Sequence, residues 1–154
     1  MEVQRLLRRV VSKVVSSLRA AQPHLLVCPC GSQLGYSACC GCYIEGKAIP
    51  EIAEALMRSR YTAYTQGNIA YIQATMQGQA AEGFDPIEAK RWAQSIRWKR
   101  LKILRTYGHK TEPDIYYVEF IVHYVDQGKP QQIKERSEFR RINGRWYYVY
   151  GISL

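Results

Sequence analysis

Outside residues 28–42 the sequence contains no cysteine, and nowhere does it contain a long apolar run. The first absence excludes a disulfide-stapled fold, because five cysteines crowded into one short segment are an odd number and sequence neighbours bridge poorly. The second excludes a membrane-spanning helix, which needs about 20 consecutive apolar residues. Acidic residues are scarce, 13 Asp and Glu against 22 Lys and Arg, giving a net charge of +9. That balance is compatible with direct nucleic-acid binding or with an anionic lipid surface, although dispersed Lys and Arg ordinarily make only a solvated face. There is no Ser-His-Asp ordering, no glycine-rich phosphate loop and no catalytic metal box. Repeats and low-complexity stretches are absent as well.

What is present is enough for one globular domain with an appendage: 154 residues, 47% hydrophobic, with 12 Tyr against 3 Phe and 3 Trp. In residues 1–20, Leu6, Leu7, Val10, Val11, Val14, Val15 and Leu18 repeat at helical spacing, and Glu2 is the single acid. This basic amphipathic helix has three readings: packing on the body or a second copy, contact with a membrane surface or partner, or an organelle-targeting role. A secretory signal fits less well, since Ser12, Lys13, Ser16 and Ser17 interrupt the apolar residues. Further helices are expected over about 50–66, with Arg60, Tyr61 and Tyr64 on its buried stripe, over about 68–76, and from Pro86. Asp85 is the N-cap of the last, with Glu88 completing a capping box. From Trp98 the period becomes two, predicting strands near 98–107, 115–125, 131–141 and 145–152. Asp126-Gln127-Gly128 and Asn143-Gly144 read as hairpin turns. Three helices followed by a four-stranded antiparallel meander is an α+β order.

Cys28, Cys30, Cys39 and Cys40 form the spacing C-x-C-x8-C-C, with Gly31 and Ser32 permitting a sharp turn. Four thiolates suit one tetrahedral zinc ion and close its shell, which makes the metal structural. Cys42 is a spare that substitutes for Cys40 if that side chain points away. Thiolate ligands imply a reducing compartment, so a cytoplasmic setting is expected. The chain divides into a basic helix (1–24), a zinc knuckle (25–47) and a folded domain (48–154). Metal removal is expected to loosen the knuckle and leave the domain folded.

The string Cys28-Pro29-Cys30-Gly31-Ser32, with Tyr36 and Cys39-Cys40, resembles the SEC-C motif, a zinc module also found at the tail of the preprotein translocase motor. Residues 56–64, Glu135-Arg136-Ser137-Glu138-Phe139 and Gly144-Arg145-Trp146-Tyr147-Tyr148 extend the resemblance to the YchJ family of uncharacterised bacterial proteins, over roughly residues 28–151. The resemblance implies a SEC-C knuckle ahead of a nuclear transport factor 2-like cone, with three helices on a curved antiparallel sheet of about four strands. It also implies a docking role for the knuckle toward a protein or ribonucleoprotein partner. Two features depart from the family pattern: no second SEC-C motif follows the sheet, and the helix at 1–20 is outside the usual pattern, either a misassigned start or a lineage-specific addition.

Alternation places Glu135 and Ser137 on the inner face of the third strand, while Gln132, Lys134, Arg136, Glu138 and Arg140 face solvent. A buried carboxylate is costly unless paired, and Arg60 is the expected partner, directly or through one water. Removing either would then strand the other charge at a cost of about 3–5 kcal/mol. The rival reading is a small-ligand-binding or enzymatic cavity using Glu135, flanked by Tyr61, Trp92, Trp98 and Tyr148. Glu119 and His123 lie on the opposite face from Tyr116, Val118, Phe120, Val122 and Tyr124, and either face could line the cavity. For residues 1–20 the membrane reading predicts that deleting them abolishes co-sedimentation with anionic liposomes and leaves metal content unchanged. Equal sedimentation with and without them would exclude it.

Overall fold

The computed structural model describes residues 26–154, so the helix expected over 1–20 lies outside the described residues. The cysteine segment forms a 3-10 turn, Tyr36–Ala38, and a short helix, α1 (Cys40–Ile44). Then come α2 (Ala53–Thr65), α3 (Ile69–Ala74), α4 (Gln79–Glu82) and α5 (Pro86–Ser95). Four strands follow: β1 (Arg97–Gly108), β2 (Ile115–Asp126), β3 (Lys129–Ile142) and β4 (Arg145–Ser153), joined in sequence order as one antiparallel sheet. No helix among the described residues is long and apolar enough to cross a membrane.

Both sheet hairpins at β2–β3 and β3–β4 are set by two residues with positive φ. Gln127 and Gly128 have φ of 47° and 78°, and Asn143 and Gly144 have 51° and 79°. These are the primed turns whose twist matches that of the flanking strands. Register shifts between Trp98 and Arg100, Ile103 and Arg105, and Glu138 and Phe139 bend the sheet around the helices. The free edge of β4 is partly covered. Gln77 donates to the Tyr148 carbonyl, and Tyr148 donates to the Thr75 carbonyl.

The helix starts obey their caps. Asn68 Oδ1 accepts from Tyr71 N at 3.1 Å, and Asp85 Oδ1 accepts from Ile87 N and Glu88 N at 2.9 and 3.1 Å. The capping box is incomplete, since the Glu88 side chain pairs with Arg91 instead. Two short helices, α1 and α4, were not expected from the sequence; at five and four residues they are too brief to show a helical period.

Helix α2 lies in the concave side of the sheet. Leu56, Met57 and Tyr61 pack there against Val118, Phe120, Val122, Phe139 and Trp146. This resolves the face of β2: the even positions face the core, and Glu119 and His123 lie on the outer face. Glu119 is held there by Arg105 at 2.9 Å and the Tyr107 hydroxyl at 3.0 Å, which keeps its carboxyl below the usual range. A second apolar cluster, Ala63, Ile69, Ile72 and Met76, joins α2 to α3. Because Asp85 satisfies two orphan amides of α5, Asp85→Ala should lower stability by about 1 kcal/mol in denaturant unfolding. An unchanged unfolding midpoint would show that this cap contributes nothing.

Candidate metal centre and cavity

The cysteine site begins with a turn. Val27 pairs with Gly35, Cys28 N donates to Leu34 O at 2.8 Å, and Gly31 N donates to Cys28 O at 3.2 Å. Gly31 takes a φ of 81°, a left-handed conformation that glycine adopts without Cβ strain. The chain thereby folds back so that Cys28 and Cys30 face the start of α1. The sulfurs of Cys28, Cys30, Cys39 and Cys40 all lie within 4.8 Å of one another. Cys30 Sγ is 3.6 Å from Cys39 Sγ, and Cys39 Sγ is 3.9 Å from Cys40 Sγ. Those separations are far beyond a disulfide bond of about 2.05 Å. They match the edges of a thiolate tetrahedron, roughly 3.8 Å for metal–sulfur bonds of ~2.3 Å.

Four thiols this close cannot all ionise without a cation among them. Hydrogen bonds from Cys28 and Cys40 hold the Cys30 thiol well below the ordinary range. Contacts with Cys28 and Cys30, and then burial, push Cys40 far above it. Ser32 Oγ lies 3.2 Å from Cys39 Sγ and accepts from Leu34 N, so its hydroxyl can support the sulfur. Cys42 stands outside the cluster. Cys40 is buried and points inward, while Cys42 Sγ donates to the Cys39 carbonyl at 2.9 Å. The substitution foreseen for Cys42 is therefore not needed.

The cluster sits directly on α2. Cys28 Sγ lies 3.8 Å from Thr62 Oγ1, and Arg58 bridges Glu54 and the Cys30 carbonyl, at 2.8 and 2.9 Å. Cys28, Cys30 and Cys40 belong to the same buried cluster as Leu56, Met57, Tyr61 and Leu101. Sequence spacing had pointed to the four donors but not to Arg58, Thr62 or this shared core. The expectation that the domain keeps its fold on metal removal rested on a core of its own, and three of the cysteines share that core.

Helix α2 also lends Met57, Arg60, Tyr61 and Tyr64 to a cavity of about 170 Å³. All seven residues foreseen for it are present: Arg60, Tyr61, Trp92, Trp98, Glu135, Ser137 and Tyr148. Tyr64 was missed as a wall, although it shares the helical stripe of Arg60 and Tyr61. Trp98 packs against Tyr61, Tyr64 and Trp92 with ring centroids 5.7, 6.0 and 5.3 Å apart. The Trp98 indole N–H is satisfied by the Ala93 carbonyl at 2.9 Å.

Arg60 and Glu135 share the cavity but form no direct ion pair, so the direct contact that was expected is not made. Arg60 Nη1 donates to the Ile72 carbonyl at 2.8 Å and to Thr75 Oγ1 at 2.7 Å, and its guanidinium lies 4.7 Å from the centre of the Tyr148 ring. Burial lowers the Arg60 pKa from its ordinary value. Glu135 Oε1 accepts from Ser137 Oγ at 2.6 Å and from the Tyr148 hydroxyl at 3.2 Å. Burial and the neighbouring carboxylate raise the Tyr148 pKa, so the phenol remains a donor at neutral pH. Gly151 makes this meeting possible, because a Cβ there would collide with both Glu135 Oε1 and the Tyr148 hydroxyl. Each charge thus has its own neutral partners. The Arg60–Glu135 coupling in a double-mutant cycle with Arg60→Met and Glu135→Gln should be below about 1 kcal/mol. Coupling of about 3 kcal/mol or more would restore the ion-pair account.

Comparison with known proteins places this geometry. A family model described as "YchJ, middle NTF2-like domain" matches residues 52–151. A UPF0225 protein of Geobacter sulfurreducens is 38% identical over 128 residues, covering 83% of this chain and 80% of its own length. One from Yersinia pestis (strain Pestoides F) is 38% identical over 136 residues, covering 82% of each. The solution structure of a SEC-C motif containing protein from Rhodopseudomonas palustris superposes with a TM-score of 0.75 at 32% identity, covering 84% of this chain and 99% of that one. The crystal structure of a SEC-C motif containing protein from Psychrobacter arcticus gives a TM-score of 0.73 at 25% identity, covering 83% and 82%. The element order and these likenesses agree on a nuclear transport factor 2-like α+β fold.

Proposed function

This chain belongs to the YchJ family, and from that premise we propose that Cys28, Cys30, Cys39 and Cys40 hold one structural zinc ion in a knuckle that docks a protein or ribonucleoprotein partner. The observation that carries the metal is the four-sulfur cluster, with every pair of sulfurs within 4.8 Å. Thiolates are soft donors suited to zinc, and four of them leave no open position for a substrate. Such a site is stable where thiols stay reduced, which supports a cytoplasmic setting.

Docking is supported by what the knuckle leaves uncovered among the described residues. Leu26, Val27 and Leu34 are each more than half exposed, on the strand-like turn that carries the first two cysteines. Exposed apolar groups on a metal-rigidified turn supply contact area at low ordering cost. The net charge of +9 favours a partner with an acidic surface.

A second reading is favoured by the cavity: it is open, and Glu135 forms no ion pair among the described residues. Those two features support a bound small ligand beside the docking role.

Purified protein kept from chelators should contain about one zinc per chain, and Cys39→Ser should lose most of it. Elemental analysis finding no zinc would refute the metal assignment. For docking, Leu34→Glu should retain zinc yet lose the partners captured by the intact protein from native extract. Capture that is identical for the intact, Leu34→Glu and chelated forms would refute the docking role.

A further inference from the structure

We infer that the cavity binds a small protonated amine carried on a group about the size of one ring. This rests on the reading of the cavity as a ligand site and names its ligand class. The first observation is the carboxylate. Both hydrogen bonds of Glu135, from Ser137 and Tyr148, fall on Oε1. Oε2 has no partner among the described residues, yet no buried side-chain oxygen or nitrogen is left unsatisfied, so Oε2 is open to the cavity that Glu135 lines. Two hydroxyl donors fix the carboxylate plane and leave one oxygen to accept from a ligand. An N–H from a cation is the strongest complement to an ionised acceptor.

The second observation is the wall. Tyr61, Tyr64, Trp92 and Trp98 form a contiguous aromatic cluster on one side of the cavity. Aromatic faces attract cations and accept apolar rings. Trp92, 36% exposed, stands where the cavity meets solvent. The volume, about 170 Å³, is near that of a cavity of roughly 150 Å³ known to accommodate benzene.

The third observation concerns Arg60, whose positive charge would repel such a ligand. Its guanidinium is directed to the carbonyl end of α3, through the Ile72 carbonyl and Thr75, and is covered by the Tyr148 ring. Glu135 receives no bond from it, and no ion pair among the described residues joins the two. Glu135 Oε2 is therefore left, with no direct bond from Arg60, to accept from a group in the cavity. An anionic ligand would meet that carboxylate directly, because Arg60 makes its bonds away from it.

The experiment titrates the full, zinc-loaded chain with benzylamine, benzyl alcohol and benzoate, following Trp92 and Trp98 fluorescence and calorimetry. Benzylamine should bind at least about tenfold more tightly than the other two. Glu135→Gln should remove that preference while zinc content and thermal midpoint are retained. Should Glu135→Gln fail to fold, Ser137→Ala, which removes one donor to the carboxylate, should weaken benzylamine binding severalfold. Equal or tighter binding of benzyl alcohol or benzoate would overturn the amine assignment and leave the ligand-site reading standing. No binding of any of the three at millimolar concentration would overturn both.

Discussion

The structure depends on three buried cysteine side chains pressed against helix α2. Cys28, Cys30 and Cys40 are at most 2% exposed and share a core with Leu56, Met57 and Tyr61. Four close thiols are a poor core element by themselves, since a second thiolate among them is desolvated and repelled by the first. A divalent cation bound there would turn that liability into a clamp worth on the order of 10 kcal/mol. Such a clamp would do more than close a loop. Arg58 holds the Cys30 carbonyl and Thr62 lies beside Cys28, so the position of α2 on the sheet is coupled to the metal site. Because α2 also forms one wall of the cavity, the knuckle and the pocket share one helix, with Met57 and Tyr61 common to both.

The cavity exists because two charges found separate neutral partners. Arg60 is bound by a carbonyl, a hydroxyl and a ring, and Glu135 by two hydroxyls. Had they met, the pair would have bridged α2 to β3 and closed the space between them. Tyr148 keeps them apart while serving both, with its ring face to the guanidinium and its hydroxyl to the carboxylate. Gly151, opposite Ser137 in the adjoining strand, leaves the room that this arrangement needs. The aromatic cluster around Trp98 then supports the opposite wall, which α5 completes with Trp92.

Features governed by local chemistry were legible in the sequence. Asn143-Gly144 and Asp85-Pro86 each decide their conformation within a few residues, so hairpin and cap could be read directly. Strand alternation correctly put Glu135 and Ser137 inward, and helical spacing put Arg60 and Tyr61 on the buried stripe. Periodicity gives a face but not a position along it. Arg60 is long enough to reach the end of α3, and the acceptors it finds there, Ile72 and Thr75, lie at an irregular helix terminus that no repeat marks. The cysteine spacing likewise named the donors and was silent on what they pack against. That is why the spacing did not reveal that three of the cysteines pack into the core beside α2.

The central claim is that metal site and domain form one cooperative core, and amide hydrogen exchange of the zinc-loaded and chelated forms tests it most directly. Metal removal should expose the amides of residues 28–44 and, with them, those of α2 over Ala53–Thr65, because Cys28, Cys30 and Cys40 pack on that helix. Loss of protection confined to residues 26–48, with α2 as protected as before, would contradict the account and return the knuckle to the status of a separate module.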